Sequence, residues 1–282
     1  MTSVTFYHLA YRPSPPRGDE SRRVASLVYR KHIVRGTGFP QSLCASLLTA
    51  EKAETSIHRG QVKMKPVTET YYERTKGGEV TLPAGLGDRL VEALEREGYT
   101  VQQFNKTEWP VLRSAWRLLQ NSKAELESEE VARRSLFATL PRTQFKVANT
   151  DQAASLLVSA TSTHPTVTIH VIANNPRTAS DLVKGLKRRG TTKLHGPDST
   201  ENWRKGDIIV NTPPYLQSEV TRNSGMVAFV GAEVFRSEQV LSNLDLLNDV
   251  MRCGILIGEK SISAREQLTI EGLVGRMIPI EP

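Results

Sequence analysis

Residues 167–190 read VTIHVIANNPRTASDLVKGLKRRG, and residues 207–218 read DIIVNTPPYLQS. The run Val167–Ile172 is almost unbroken in β-branched and apolar side chains, which suits a strand buried on both faces. From Thr178 to Arg189, Ala179, Leu182, Val183 and Leu186 recur at helical spacing, and Gly190 stands where a helix C-cap glycine belongs. Asp207–Val210 is a second buried strand, closed by Asn211-Thr212-Pro213-Pro214. Working outward, Phe145–Val147, Met226–Val230 and Gly254–Ile257 are further short apolar runs. Asp151–Thr161, with Ala154, Leu156, Leu157 and Ala160, and Glu238–Met251 read as helices. Such an alternation predicts a parallel sheet with helices on both faces, so residues 144–282 are expected to form one α/β domain.

The upstream half has a different rhythm. Within 66–104 the spacing predicts a strand ending near Arg74, a turn at Lys76-Gly77-Gly78 and a strand through Val80 and Leu82. A helix with Leu90, Val91 and Leu94 on one face follows, capped near Gly98, and then a strand through Tyr99, Val101 and Phe104. With the helical segment 108–140 this makes residues 61–143 a small α+β module with a helical linker. Trp109, Leu112, Trp116 and Leu119 form an apolar stripe read as core, and AELESEEVARR is a solvated helix face. Residues 1–60 are expected to be a basic arm, extended over RPSPPRGDE (12–20), followed by two short helices broken around Gly36–Pro40.

The chain has 282 residues, 38% hydrophobic and 24% charged, enough for two compact units, and a formal charge of +7 that favours anionic partners. Residues 1–60 hold 9 basic and 4 acidic side chains, whereas 146–282 hold 15 and 14, so most of the excess sits in residues 1–60. No apolar run approaches the ~18 residues of a membrane span, and no secretory signal opens the chain, so a cytoplasmic protein with no membrane contact is expected. Cys44 and Cys253 are far apart in sequence and read as reduced core thiols. The six histidines show no metal spacing, and His170, inside a buried strand, reads as a hydrogen-bonded core residue. Neither a G-x-S-x-G nor a G-x-G-x-x-G turn is present, so no catalytic residue, cofactor or metal is assigned.

The block 173–190 and the strand and turn 207–218 together resemble the first RecA-like domain of superfamily 2 helicases. There a P-T-R-type segment opens the helix after the second strand, and a DIxVxTPxxL strand carries a Thr-Pro turn. The resemblance implies a RecA-like parallel sheet preceded by a small α+β module, and backbone contacts to nucleic acid by Pro176, Arg177, Thr178, Thr212 and Pro213. The segment GGEVTLPAGLGDRLVEALEREGYTV is similar to the small DNA-engaging domain of repair and recombination helicases of that superfamily.

Departures from the family pattern are equally plain. The turn after Val147 reads Ala148-Asn149-Thr150-Asp151-Gln152-Ala153, without the glycines and lysine that would cradle phosphates, and a helix N-cap by Thr150 or Asp151 is expected instead. Where an Asp-Glu pair should follow Met226–Val230 the chain has Gly231-Ala232-Glu233, and Gly258-Glu259-Lys260 replaces the Ser-Ala-Thr-like element. The sequence ends at Pro282 without a second RecA-like domain. A non-catalytic nucleic-acid-binding or assembly component on a degenerate helicase-like scaffold is therefore expected, its partner DNA held largely without sequence preference. The alternatives are a protein–protein scaffold for self-assembly or docking, and an ATPase completed by a partner chain. Candidate phosphate contacts are Lys184, Lys187, Arg188 and Arg189 at a helix end with Arg204 and Lys205 nearby, Arg74 and Lys76 on the hairpin, and Arg12, Arg17, Arg22 and Arg23 in the arm. No aromatic platform on a sheet face is evident, so base readout is not indicated.

Overall fold

The computed structural model describes residues 23–277 except 32, 59–60, 107–108, 123–124, 198–202, 218–220, 222, 244–246, 248–249 and 259–260, with the side chains of 56–62 also left out. It divides into two compact units, Met1–Glu108 and Trp109–Pro282. The arm residues Arg12, Arg17 and Arg22 lie outside the described residues.

In the first unit the described strands are β1 (Arg23–Tyr29), β2 (Ile33–Thr37), β3 (Thr49–His58), β4 (Gln61–Thr70), β5 (Glu73–Arg74), β6 (Val80–Pro83) and β7 (Tyr99–Asn105), with helices α1 (Gln41–Leu47) and α2 (Gly87–Arg96). A mixed sheet runs in the order β5-β6-β2-β1-β7, with β1 and β7 parallel. Its buried residues include Ala25, Leu27, Val34 and Leu82 from the strands and Leu90 and Leu94 from α2. Of the two short helices expected over 21–60, the second is present as α1 at 41–47, but the first is not: strands occupy 23–37. The reason is a period of two, with Ala25 and Leu27, then Val34 and Gly36, facing inward on paired strands. Pairing of β1 with the distant β7 overrides the local spacing of Val24, Leu27 and Val28.

β3 and β4 form a separate two-stranded ribbon of ten residues each, in register from Thr49↔Thr70 to His58↔Gln61. Every described side chain from Glu51 to Thr55 and from Lys63 to Pro66 is exposed.

The second unit contains α3 (Pro110–Ser122), α4 (Ser128–Thr139), β8 (Arg142–Val147), α5 (Thr150–Thr163), β9 (Ile169–Ala173), α6 (Pro176–Arg188), β10 (Leu194–His195), β11 (Ile208–Asn211), β12 (Met226–Val230), α7 (Glu238–Ser242), β13 (Met251–Ile257) and α8 (Ala264–Val274). Among the described residues the sheet has six strands, all parallel, in the order β10-β11-β9-β12-β13-β8. Successive strand residues feed opposite layers. Phe145, Ile169, Val171, Val210 and Ala228 pack with α5 and α6, while Ile172, Val227 and Phe229 pack with Val240 of α7 and Ile270 and Leu273 of α8. Helices therefore cover both faces, as expected for a parallel α/β sheet.

The close approach of α5 and α6 rests on small residues. A Cβ on Gly185 would stand 2.9 Å from the Cβ of Ala154. Gly185→Val is expected to destabilise the protein by about 1–3 kcal/mol through overpacking. Urea denaturation of the variant, showing a lowered midpoint at unchanged slope, is the check; an unchanged midpoint refutes this account of the crossing.

Three local expectations are corrected. The helix expected over 238–251 stops at Ser242, and β13 already begins at Met251. Arg252, 5% exposed, donates to Leu247 O at 2.7 and 3.1 Å and to Leu273 O at 3.3 Å, so the chain before β13 is turned to satisfy a buried guanidinium. On α3 it is Ala115 and Leu119 that are buried, whereas Trp116 is 42% exposed because it stands a hundred degrees round the helix from Ala115; Trp109 packs against the core. The charged stretch before and within α4 is not simply solvated: Glu130 accepts from Ser159 Oγ of α5 at 2.7 Å and from Arg134 Nε at 2.6 Å. Both cysteines are free and buried, and burial pushes the thiol of Cys44 up to about 11 and that of Cys253 up to about 12. Among the described residues no helix is long and apolar enough to cross a membrane.

Candidate nucleic-acid interface

In an open parallel sheet the loops beyond the carboxyl ends of the strands form the natural site, most of all where the strand order reverses. Here β9 leads outward to β10 and β11 while β12 leads back to β13, so the reversal lies between β9 and β12. Asn174, just past β9, donates its backbone N–H to Val230 O at 3.0 Å and its side-chain amide to Glu233 Oε2 at 3.0 Å. The bond is possible because Gly231, at φ +94°, leaves room: a Cβ there would come within 2.8 Å of the Asn174 side chain. Glu233 is thus held by a neighbouring loop.

Asn175 is the N-cap of α6, its Oδ1 accepting from Thr178 N at 2.9 Å, with Pro176 at the first helical position. Pro176 and Arg177 are exposed and Thr178 is half-buried. No acidic side chain occupies this first turn; Pro176 has no N–H and those of Thr178 and Ala179 are bonded to Asn175, so what the turn offers is the exposed Arg177 at the positive end of the helix dipole. Thr212 and Pro213, both half-buried, follow β11, whose Asn211 pairs with Ile172 of β9. The Pro176–Thr178 and Thr212–Pro213 segments therefore rise from adjacent strand ends, which lie about 5 Å apart across a sheet.

A buried polar chain fixes the second of these turns. His170, fully buried, has Asn211 Nδ2 at 3.3 Å from Nε2 and Thr221 Oγ1 at 2.8 Å from Nδ1. Since Asn211 can only donate there, Nε2 accepts and Nδ1–H donates to Thr221, whose hydroxyl donates in turn to Tyr215 O at 3.5 Å. Burial lowers the His170 pKa to about 4, so the ring is neutral. The expectation of a hydrogen-bonded core histidine holds, with the addition that its partners reach the turn at 212–217.

The basic residues of α6 fall in a second place. Lys184, Lys187 and Arg188 line an open groove of about 690 Å³ with Asn149, Thr150, Asp151 and Asp181. Eleven residues of helix put Arg188 roughly 16 Å from Arg177, so the two groups are separate. Asp151 binds Arg189 at 2.5 and 2.9 Å and Arg188 at 3.1 Å, and Lys184 lies 3.8 Å from Asp181. The hydrogen bond from Arg189, helped by the charges of Arg189 and Arg188, holds the Asp151 carboxyl below its usual pKa. Arg204 and Lys205 precede β11, the former donating its backbone N–H to Asp207 Oδ2 at 2.6 Å. In the first unit, Arg74 ends β5 and Lys76 sits in the Thr75–Glu79 turn, both exposed, while Arg23 lies 5.7 Å over the Tyr99 ring.

The turn after β8 is a plain helix start. Asn149, not Thr150 or Asp151, is the N-cap: its Oδ1 accepts from Gln152 N at 3.0 Å, and Gln152 Oε1 accepts from Ala148 N at 2.8 Å. The cap falls one residue earlier because Asn149 alone has the extended backbone, φ −154° and ψ 174°, that a cap needs. The side chain at the helix start is the Asp151 carboxylate, and the amides of Ala148 and Gln152 are bonded to side chains of the turn itself.

Two features escaped sequence reasoning. Tyr215, in the 3-10 turn Pro213–Gln217, is 47% exposed beside the Thr-Pro turn; its only sequence signal was an aromatic directly after two prolines. The pairing of Asp151 with Arg188 and Arg189 joins helices more than thirty residues apart and left no local trace.

The structure is similar to the crystal structure of the UvsW helicase from bacteriophage T4, with a TM-score of 0.62 at 11% identity over 90% of this chain and 99% of that chain. A second crystal structure, of T4 UvsW, gives a TM-score of 0.57 at 13% identity over 90% of this chain and 56% of the other, so the chain spans about half of that longer protein. No protein-family profile matches the sequence, and no curated protein does. At such identities the likeness is one of fold: a RecA-like parallel sheet with helices on both faces, and a separate mixed-sheet module.

Proposed function

We propose that this chain binds nucleic acid, with DNA as the partner, largely without sequence preference and without hydrolysing ATP on its own. One observation carries the reading: Pro176–Thr178 and Thr212–Pro213 rise from adjacent strand ends of a helicase-like sheet, with Arg177 exposed at the Asn175-capped start of α6. These groups suit a sugar–phosphate backbone, since a hydroxyl and a guanidinium at the positive end of a helix dipole both bind phosphate oxygens. Lys184, Lys187 and Arg188 on α6 with Arg189 just beyond it, and Arg74 and Lys76 on the first unit, add charge that carries no sequence information. The degenerate-scaffold half of the proposal is supported by the Asn149-capped helix start, by Asp151 where a phosphate-binding lysine would serve, and by Glu233 being bonded to Asn174.

Equilibrium binding to a fluorescent 20-nucleotide single strand across ionic strengths tests the first half. The logarithm of affinity is expected to fall linearly with that of salt, and Arg177→Ala to shallow the slope by about 0.7, the loss of one phosphate contact. No detectable binding at low salt sinks the proposal. A magnesium-ATP titration tests the second half, and micromolar binding would overturn it.

A further inference from the structure

We infer that Tyr215 is a base-stacking platform, so that the strand held at the carboxyl edge of the sheet is gripped by one of its bases as well as by its phosphates. The inference rests on the nucleic-acid reading above and adds to it a contact that phosphate chemistry does not supply. Tyr215 is 47% exposed, while Leu216 next to it is fully buried and pins the turn to the core. Pro213 and Pro214 restrict the backbone that leads into it, and Tyr215 N donates to Thr212 O at 3.0 Å. From below, its carbonyl accepts from Thr221, which is fully buried and itself accepts from the neutral His170 ring.

An aromatic ring on a turn with that many constraints loses little freedom on contact, which is what makes a stacking surface effective. Tyr215 also belongs to the turn that follows β11 directly. The Thr212–Pro213 segment and the Arg177 turn start from adjacent strands, so a backbone lying across both would bring a base to the residue two positions beyond Pro213. Every base has a π face, so the contact tolerates any sequence and fits a non-specific binder; it also requires an unpaired base. Single-stranded nucleic acid, or a strand end of a duplex, is thus the form that this edge holds.

The test compares the wild-type protein and Tyr215→Ala on a 20-nucleotide oligothymidylate and on an abasic strand of equal length, at one low ionic strength. The wild type is expected to bind the oligothymidylate at least about fivefold more tightly than the abasic strand. Tyr215→Ala should lose that preference and keep the abasic affinity and the salt slope, and Tyr215→Phe should keep the preference. Because the side chain is exposed, the thermal midpoint of Tyr215→Ala should match the wild type. Equal wild-type affinity for both strands, or a preference that survives in Tyr215→Ala, overturns this inference and leaves phosphate binding standing. Absence of wild-type binding to either strand overturns both.

Discussion

Lowering the pH from 7 to 4.5 is expected to remove about 2–3 kcal/mol of folding stability through His170 alone. The ring sits at 0% exposure, and burial lowers its pKa from 6.5 to about 4. In the unfolded chain the same imidazole takes a proton near pH 6.5, so the unfolded state binds more protons between these values. Its contribution is fully present above 6.5 and is lost as the pH falls towards 4. His164, lowered mainly by burial, acts with the same sign. Urea unfolding at pH 7.5, 6 and 5 is the measurement, a range that keeps ordinary carboxylates mostly ionised. His170→Gln should reduce the slope between pH 6.5 and 5 by up to about 1.4 kcal/mol per pH unit. A wild-type stability flat across that range would refute the buried neutral ring.

Asp151→Asn is expected to strengthen single-strand binding by about tenfold at low salt and to steepen the salt dependence by about 1.4, as two guanidiniums gain phosphate partners. In the native chain Asp151 occupies both Arg188 and Arg189, acting as an internal anion at the edge of a groove that also holds Lys184 and Lys187. The ion pairs are solvent-exposed, so their loss should cost little stability, as should the change of charge near the α5 N-terminus. Titrations of the variant and wild type at several salt concentrations decide the matter. Unchanged affinity and slope would show that the α6 cations take no part in binding.

Legibility in the sequence followed burial. β9, β11, β12 and α6 were readable because their residues face a core, so that period and composition agree: all of Ile169–Ala173 is buried, and α6 turns Ala179, Leu182 and Leu186 inward. The hairpin and helix around Lys76–Gly98 were readable from glycines, two of which, Gly78 and Gly98, adopt φ of +81°. Residues 23–37 were misread because a five- or seven-residue strand with only alternate residues buried can mimic helical spacing. The ribbon β3–β4 had no burial to announce it. At the candidate site, the turns at 176–178 and 212–213 were visible as motifs, whereas the Asp151–Arg189 pair and the His170–Thr221–Tyr215 chain depend on tertiary contact. Exposure of Tyr215 was likewise a property of the folded turn, which buries its neighbour Leu216 and leaves the ring outside.

The ribbon has a last consequence, for how this chain tolerates change in length. The inner strands of the two main sheets are fixed on both sides by neighbours and by buried residues, so a one-residue slip would turn core side chains to water. β3 and β4 pair only with each other. Two residues added to each strand would extend the same alternating register outward, with no core atom displaced and no other strand obliged to follow. Natural variation in segment length, or an inserted epitope, is best accommodated at that hairpin.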